Sequence, residues 1–239
     1  MSSPTTTTTT ISESTETVKN NKYELIYWPI RGRCSPIRAA LTFGNINFTD
    51  NRMSDWDDEN GTRARLINVN KFALANLPAL ILPDETVLTQ TRTVLQYAAT
   101  LSPELTPKNN IDAANVSMIL DHLNELYDER VKMSYGEEAA ANIPSFFESS
   151  VPYYFGTVES WITTRKTEFV ATNYITVADM FLVEFICAFE KLKQGLGWME
   201  KYPKLLEVYG KVTSHPKLKE YYEKEKSTPF NDPIEGAWS

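Results

Sequence analysis

A short run near the N-terminus carries side chains that could bind and ionise a thiol. Residues 27–33 read Tyr-Trp-Pro-Ile-Arg-Gly-Arg and supply a phenol, Tyr27, and a guanidinium, Arg33. A free thiol has a pKa of about 8.5, so only about 3% is thiolate at neutral pH. A donor aimed at the sulfur stabilises the anion, and each pKa unit removed corresponds to about 1.4 kcal/mol. Tyr27 is suited to give that hydrogen bond, and the charge of Arg33 can support the thiolate.

Two later groups could hold the rest of a small anionic peptide. Asn76, Leu77 and Pro78 offer backbone and amide hydrogen-bonding groups. Gln90 and Thr91 fall at a predicted helix N-terminus, where an amide, a hydroxyl and free backbone N–H groups can hold a carboxylate. Thr91 is also expected to cap that helix, and both roles can hold together.

The pattern after residue 22 predicts an α/β unit that would position these groups. Tyr23, Leu25 and Tyr27 alternate with other residues as in a strand, and Ser35 with Pro36 starts a helix. Residues 46–48 then suggest a second strand, parallel to the first through the helical crossover. Residues 50–70 have no strong period and predict a loop with a short helix. Residues 79–82 and 87–88 predict an antiparallel hairpin, and residues 91–101 a closing helix.

From Asn110 onwards the pattern is helical. Residues 116–127 carry an amphipathic stripe, and residues 146–165 are largely helical. Thr176 and Asp179 form a capping box at the head of an apolar helix running through Phe189, which should lie in the middle of its domain. Further helices are predicted to start at 202–203 and at 215–216.

Composition narrows the classes of function. The chain has 239 residues, a net charge of −7 and 42% hydrophobic residues, which argues for a packed core and against nucleic acid or anionic membrane as partners. Cys34 and Cys187 form neither a disulfide framework nor a metal-ligand spacing, which favours a reducing, cytoplasmic setting. Residues 1–20 are rich in Thr and Ser, lack an apolar run and predict a disordered tail.

These motifs together resemble the cytosolic glutathione transferases over roughly residues 22–230. Residues 27–32 look like the mu-class opening and 31–33 like the sigma and alpha openings, while 76–78 are mu-like and 90–92 alpha-like. Residues 176–179, 202–205 and 215–216 match the family's helical domain. Sigma-like is the best single class label, and the resemblance therefore extends to prostaglandin D synthase.

The resemblance implies a two-domain α/β plus all-α fold. A thioredoxin-like glutathione-binding domain is expected at 21–101, a linker at 102–109 and an all-helical domain with the electrophile site and dimer contacts at 110–239. It also implies a homodimer in which Glu125 meets the γ-glutamyl ammonium of glutathione bound to the neighbouring chain. Acidic residues of this area bind a divalent metal in a sigma relative, but Asn124 replaces one of them, so no metal is predicted.

The resemblance also assigns the site residues. Tyr27 is the expected catalytic residue and Arg33 its helper, and a cis Pro78 would turn the backbone of Leu77 towards the cysteinyl group. Arg63, Arg65 or Lys71 could supply the cation that binds the glycine carboxylate of glutathione. Arg65 is included among the expected glutathione-binding residues. The expected glutathione-binding residues are Tyr27, Trp28, Arg33, Trp56, Arg65, Asn76, Leu77, Pro78, Gln90, Thr91 and Glu125.

The implied activity is conjugation of glutathione, as co-substrate, to hydrophobic electrophiles, in the manner of a detoxification enzyme. One alternative is a glutathione-dependent isomerase like prostaglandin D synthase, and another is a non-catalytic binding or structural member of the family. A third gives Cys34 a redox role, because it lies near a helix N-terminus beside Arg33. The electrophile pocket is expected from residues of the first loop, the long helix and the C-terminus: Trp28, Ile30, Tyr127, Arg130, Val131 and Trp238.

Overall fold

The computed structural model describes residues 22–70, 76–134, 143–192 and 195–230. This part of the chain starts with a mixed four-stranded sheet. The strands are β1 (Tyr23–Tyr27), β2 (Phe48–Arg52), β3 (Ala79–Ile81) and β4 (Val87–Thr89), in the spatial order β2-β1-β3-β4. β1 and β2 are parallel, and the other two pairs are antiparallel. The predicted tail at 1–20 lies outside the described residues.

Three helices cover the two faces of this sheet: α1 (Ser35–Phe43), α2 (Thr62–Asn70) and α3 (Thr91–Thr100). Leu25 and Leu80 belong to the core that includes α1 and α3. Ile26 and Ala79 join Leu66 of α2 in a separate cluster on the opposite face. The period-two alternation of a strand produces this division, because successive side chains point to opposite faces.

The rest of the described chain is helical and packs around one apolar helix. Its helices are α4 (Asn110–Ser134), α5 (Val151–Arg165), α6 (Val177–Leu192), α7 (Pro203–Thr213) and α8 (Lys219–Glu225). A π-helical turn, Phe146–Ser150, precedes α5, and a 3-10 helix, Leu196–Lys201, follows α6. None of the described helices is long and apolar enough to cross a bilayer.

α6 lies in the centre, as its sequence predicts, and one hydrophobic core continues from it to α1 and α3. The capping box forms at its start. The buried carboxylate of Asp179 accepts hydrogen bonds from the backbone N–H (2.7 Å) and the hydroxyl (2.9 Å) of Thr176, and from the N–H of Val170 (2.8 Å). The bond from the Thr176 N–H satisfies a donor that the beginning of a helix leaves without an intrahelical partner, and the bond from Val170 ties the preceding loop to the helix.

Two predicted boundaries are wrong. The second strand begins at Phe48, not at 46, because the preceding residues close α1: Asn45 adopts φ 53° and the N–H of Ile46 donates to the carbonyl of Leu41 (2.9 Å). The last helix begins at Lys219, because His215 and Leu218 form a turn in which the Leu218 N–H donates to the His215 carbonyl (2.8 Å).

Candidate active site

The strand registers bring most of the predicted ligand-binding residues to one end of the sheet. Ile26 of β1 lies opposite Ala79, and Ala79 lies opposite Thr89 of β4. The next residues towards this end of the sheet are Tyr27, Pro78 and Gln90. On the other side Tyr27 pairs with Arg52, so the loop carrying Trp56 leaves the sheet at this end too. Residues far apart in the chain therefore surround one location.

The hydroxyl of Tyr27 is oriented by the turn that follows β1. Tyr27 is 7% exposed, and its Oη accepts a hydrogen bond from the backbone N–H of Arg33 (3.2 Å). Gly32 makes this approach possible: it adopts φ 43°, and a Cβ there would lie 2.8 Å from the Tyr27 Oη. Any side chain at position 32 would therefore displace the phenol as well as strain the backbone.

The environment of Tyr27 favours the protonated phenol. Burial raises the pKa of Tyr27 above its ordinary value, and the neighbouring Tyr127 adds to the effect, while the Arg33 N–H opposes it. A phenol that keeps its proton at neutral pH, and whose oxygen already accepts a bond from an N–H, can donate its own hydrogen to an acceptor. A thiolate placed beside it would be such an acceptor.

The Arg33 side chain is held by the long helix α4. Its Nη2 donates to Asp128 Oδ1 (2.8 Å), its Nη1 lies 3.4 Å from Asn124 Oδ1, and its Cζ lies 4.1 Å from the centre of the Tyr127 ring. Asp128 is half exposed and forms this ion pair. The guanidinium thus has a defined orientation next to Tyr27.

A buried ion pair anchors the same turn to the helical domain. The guanidinium of Arg31 donates to both carboxylate oxygens of Glu184 in α6, at 2.8–3.1 Å, and both residues are buried. The Arg31 N–H donates to the carbonyl of Pro229 (2.8 Å), and Phe230 covers the guanidinium at 4.7 Å. The turn that positions Tyr27 therefore depends on α6 and on the segment after α8.

A second buried arginine fixes the loop between β1 and this turn. Arg38 of α1 donates from Nη1 to the carbonyl of Ile30 (2.8 Å) and lies 3.4 Å from the carbonyl of Trp28. Its Nε bonds to the carboxylate of Asp50 (2.9 Å). Because the carbonyls are held, residues 28–30 keep one conformation without regular secondary structure.

The predicted peptide-binding groups surround the same end of the sheet. Trp28, Trp56 and Leu77 are partly buried against the cluster of Ile26, Met53, Leu66 and Ala79, which leaves part of each side chain accessible. The Leu77–Pro78 bond is cis, as predicted. The N–H of Leu77 bonds to the Oδ1 of its neighbour Asn76 (2.9 Å), a side chain that is itself exposed.

The turn between β4 and α3 exposes one residue and buries the next. Gln90 is exposed and adopts φ 71°, in the left-handed region that non-glycine residues rarely occupy, whereas Thr91 is 5% exposed. A strained backbone at such a position is typical of a ligand-binding turn. The first N–H groups of α3 face the same end of the molecule as Tyr27.

The three residues predicted as the cation for the glycine carboxylate of glutathione lie in different environments. Arg65 forms an ion pair with Glu24 (2.9 Å), three residues before Tyr27 in β1, which corresponds to about 10 Å along a strand. Arg63 is exposed, and Lys71 lies outside the described residues. In the structure as described, Arg65 is turned towards the opposite end of β1.

Glu125 is exposed on α4, next to the residues that hold Arg33. Burial, and more weakly the carboxylates of Glu129 and Glu125, raise the pKa of the Tyr154 hydroxyl in α5. One turn earlier, Asp121 forms an ion pair with Arg92 of α3. Glu125 makes no described contact with Tyr27, so its predicted role depends on a second chain.

A narrow cavity lies beside Tyr27, between the turn that follows β1 and the helical domain. It is lined by Gly32, Tyr127, Arg130, Phe181, Glu184, Phe185 and Phe230. Tyr127 and Arg130 were among the predicted electrophile-pocket residues, and the aromatic wall from α6 was not. Trp238 lies outside the described residues.

The two cysteines have little thiolate character. Cys34 is completely buried, and burial raises its pKa to about 12. Burial likewise raises the pKa of Cys187 to about 12. The proximity to Arg33 that suggested a reactive Cys34 is therefore outweighed by desolvation, which opposes thiolate formation.

Several functional contacts escaped prediction from the sequence. Asn124 and Asp128 are spaced i, i+4 on α4 and therefore share a face, but nothing in the sequence shows that this face meets Arg33. Glu184 gave a usable signal, because a carboxylate in the middle of an apolar helix requires a partner. Arg38 gave none.

Comparisons with known proteins find similar sequences and similar structures. The family model of the glutathione S-transferase C-terminal domain matches residues 124–225. A glutathione S-transferase of Dirofilaria immitis is 26% identical over 186 residues, which cover 77% of this chain and 83% of the relative.

Solved structures extend the agreement to both parts of the chain. A Pi-class glutathione S-transferase of Onchocerca volvulus superposes with a TM-score of 0.73 at 25% identity, covering 86% of this chain and 94% of the other. A prostaglandin synthase D of Nilaparvata lugens gives a TM-score of 0.71 at 19% identity over 85% and 98% of the two chains, which shows a common fold. The chain is thus similar to the glutathione transferases in its fold, in the family model that matches its helical domain and in the sequences of its relatives.

Proposed function

We propose that this protein binds glutathione and transfers it to hydrophobic electrophiles, with Tyr27 stabilising the thiolate. The observation that carries the proposal is the buried Tyr27 hydroxyl, whose oxygen is held by the Arg33 N–H at 3.2 Å and whose proton is retained at neutral pH. A donor fixed in this way needs no reorganisation when a thiolate forms beside it. Relatives named glutathione S-transferase support the same activity.

The remaining groups at this end of the sheet would bind the peptide. The backbone of Leu77 suits the cysteinyl group, for which the side chain of Asn76 would have to release the Leu77 N–H. Gln90 and Thr91, with the first N–H groups of α3, suit the γ-glutamyl carboxylate. Trp28 and Trp56 offer partly exposed rings at the two flanks, and Arg65, Arg63 or Lys71 would supply the cation for the glycine carboxylate.

Arg33 would raise the positive potential at the sulfur. Its charge is partly offset by Asp128, but Asp128 is half exposed, so solvent screens that pair. The stacking on Tyr127 keeps the guanidinium at the border between the thiol and the narrow aromatic cavity. That cavity, once widened by side-chain movement, would accept the apolar electrophile.

The proposal includes a cytoplasmic homodimer. Three large apolar side chains of α4 and α5 are unusually exposed: Ile111 at 69%, Met118 at 45% and Tyr153 at 64%. Glu125 is exposed on the same long helix. If a second chain packs on this face, Glu125 of one chain could contact the glutathione bound to the other. Sedimentation velocity should give the mass of a dimer, and Met118→Asp should shift the distribution towards monomer.

A glutathione-dependent isomerase is the second candidate. The structural likeness to a prostaglandin synthase D favours it only at the level of the fold. Such an enzyme would use the same thiolate, so Tyr27 would remain essential while the acceptor would be an endoperoxide. A non-catalytic binding protein would instead hold glutathione without lowering the pKa of its thiol.

Conjugation of glutathione to 1-chloro-2,4-dinitrobenzene tests the proposal. We expect Tyr27→Phe to lower kcat/KM by about 10- to 100-fold, since a hydrogen bond to a charged group is worth about 1.5–3 kcal/mol. Tyr23→Phe, at the opposite end of the same strand, is the matched control and should keep full activity. Equal activity of native protein and Tyr27→Phe would reject Tyr27 as the catalytic residue. A chain that binds glutathione but conjugates no electrophile of a broad panel would be a binding protein or, if it turns over an endoperoxide, an isomerase.

A further inference from the structure

Arg52, the last residue of β2, joins the sheet to the segment around the end of α8. Its Nη2 donates to Glu225 Oε1 (2.6 Å), and its Nη1 donates to the Thr228 hydroxyl (3.3 Å). Its Nε donates to Asp50 Oδ2 (2.7 Å) on the same strand. One guanidinium therefore connects two parts of the chain, and none of these four residues was predicted to bind glutathione.

The carboxylate of Glu225 depends on this contact. Glu225 is 2% exposed, and its second oxygen has no hydrogen-bond partner among the described residues. Burial would raise the pKa of Glu225, but the hydrogen bond from Arg52 holds that pKa below its ordinary value. A buried carboxylate that loses the cation paired with it must move into water or take up a proton. Removal of Arg52 would therefore displace the end of α8.

The end of α8 leads into one wall of the narrow cavity. Phe230, which lines that cavity, comes five residues after Glu225. Between them the carbonyl of Pro229 accepts a hydrogen bond from the N–H of Arg31 (2.8 Å). Arg52 thus holds one end of the short segment that carries Phe230, and Arg31 holds the other.

The loop that carries Trp28 is held independently of Arg52. Arg38 donates to the carbonyls of Ile30 (2.8 Å) and Trp28 (3.4 Å), and its Nε bonds to both carboxylate oxygens of Asp50 (2.9 and 3.1 Å). Asp50 therefore keeps a cationic partner when Arg52 is removed. Loss of Arg52 should loosen the wall of the cavity and leave this loop in place.

We propose that Arg52 is a positioning residue that determines which electrophiles the protein accepts. Through Glu225 it holds Phe230 at the narrow cavity, so it controls the shape of an apolar wall that it does not itself line. The inference rests on the proposed function, because it takes that cavity as the electrophile site. The expected signature is selective: the affinity for the apolar group falls, and the affinity for the peptide does not.

Binding of glutathione and of S-hexylglutathione to the full chain, measured by titration calorimetry, tests the proposal. The two ligands share the peptide, and only the second places an apolar group in the cavity. We expect Arg52→Met to weaken S-hexylglutathione binding about tenfold, the lower end of what a lost hydrogen bond to a charged group costs. Glutathione binding should change less than about twofold, and steady-state kinetics should show the same split, with a higher KM only for 1-chloro-2,4-dinitrobenzene.

Two variants of Glu225 separate positioning from packing. Glu225→Met removes the acceptor and should reproduce the selective loss, whereas Glu225→Gln keeps an oxygen for Arg52 and should retain most of the affinity for S-hexylglutathione. Glu159→Ala is the matched control: it removes two hydrogen bonds from a carboxylate to the N–H groups of Lys204 and Leu205 (both 3.0 Å), at the start of α7. Glu159 does not line the cavity, so its loss should lower stability without changing the ratio of the two affinities.

Equal losses of both affinities in Arg52→Met, or native affinity for both ligands, would overturn the proposal and leave the proposed function intact. The same selective loss in Glu159→Ala would also overturn it, because lower stability alone would then be the cause. Should Arg52→Met fail to fold, Glu225→Met decides the question, since it removes the buried charge together with the contact. If the native protein bound neither ligand, the proposed function itself would fail, and this inference with it.

Discussion

Removal of Glu184 should destabilise the protein far more than its single carboxylate suggests. Glu184→Ala leaves the guanidinium of Arg31, which is 3% exposed, without the three hydrogen bonds it makes at 2.8–3.1 Å. Breaking one side of a buried ion pair costs about 3–5 kcal/mol, against a total stability of about 5–15 kcal/mol for a folded domain. Urea unfolding at 25 °C should therefore show a clearly lower midpoint with little change in slope.

The double variant Arg31→Met, Glu184→Met separates the ion pair from simple loss of packing. Apolar replacement of both partners of a buried pair is often neutral, so the double variant should recover most of the lost stability. Glu223→Ala, which removes the exposed pair with Lys226, is the control and should cost less than about 1 kcal/mol. If the double variant were as unstable as Glu184→Ala, the uncompensated charge would not be the cause and the reasoning would be refuted.

Three further predictions test the proposed thiol site. Gly32→Ala should abolish most conjugation and lower the melting temperature, because a Cβ would lie 2.8 Å from the Tyr27 Oη at φ 43°; a fully active variant would contradict that turn. Arg33→Met should lower kcat/KM for glutathione more than Asp128→Asn does, since Asn124 and Tyr127 still hold Arg33 when Asp128 is neutral; equal losses in the steady-state kinetics of the two variants would show instead that Asp128 is the main support. Cys34→Ala should keep conjugation activity within about twofold, because burial opposes a thiolate there; loss of activity with a native fold would restore the redox role.

The sequence was sufficient for the fold and for the end of the sheet at which the proposed glutathione-binding residues meet. Alternation in 23–27, the hairpin at 79–88 and the capping box of Thr176 and Asp179 are local patterns with one common structural solution. Their order, together with the family resemblance, then determined the end of the sheet at which Tyr27, Pro78 and Gln90 meet.

The contacts that hold the site could not be predicted in the same way. Arg33 meets Asp128 across 95 residues and Arg31 meets Glu184 across 153, and only the packing of the two parts of the chain determines those pairs. The second strand was misplaced because Phe48–Arg52 is mostly polar and the apolar Ile46 instead closes α1. The proposed role of Glu125 depends on a partner chain, and a single sequence does not specify how copies assemble.

The pKa of the thiol of bound glutathione tests the central claim most directly. Thiolate absorbs in the ultraviolet, so a pH titration of the glutathione complex, with the chain alone as reference, gives that pKa without any electrophile. We expect a value about one to two units below the free value of about 8.5 in the native protein and in Tyr23→Phe, and a return towards the free value in Tyr27→Phe. The same lowered pKa in native protein and Tyr27→Phe would contradict the assignment of Tyr27 as the group that stabilises the thiolate.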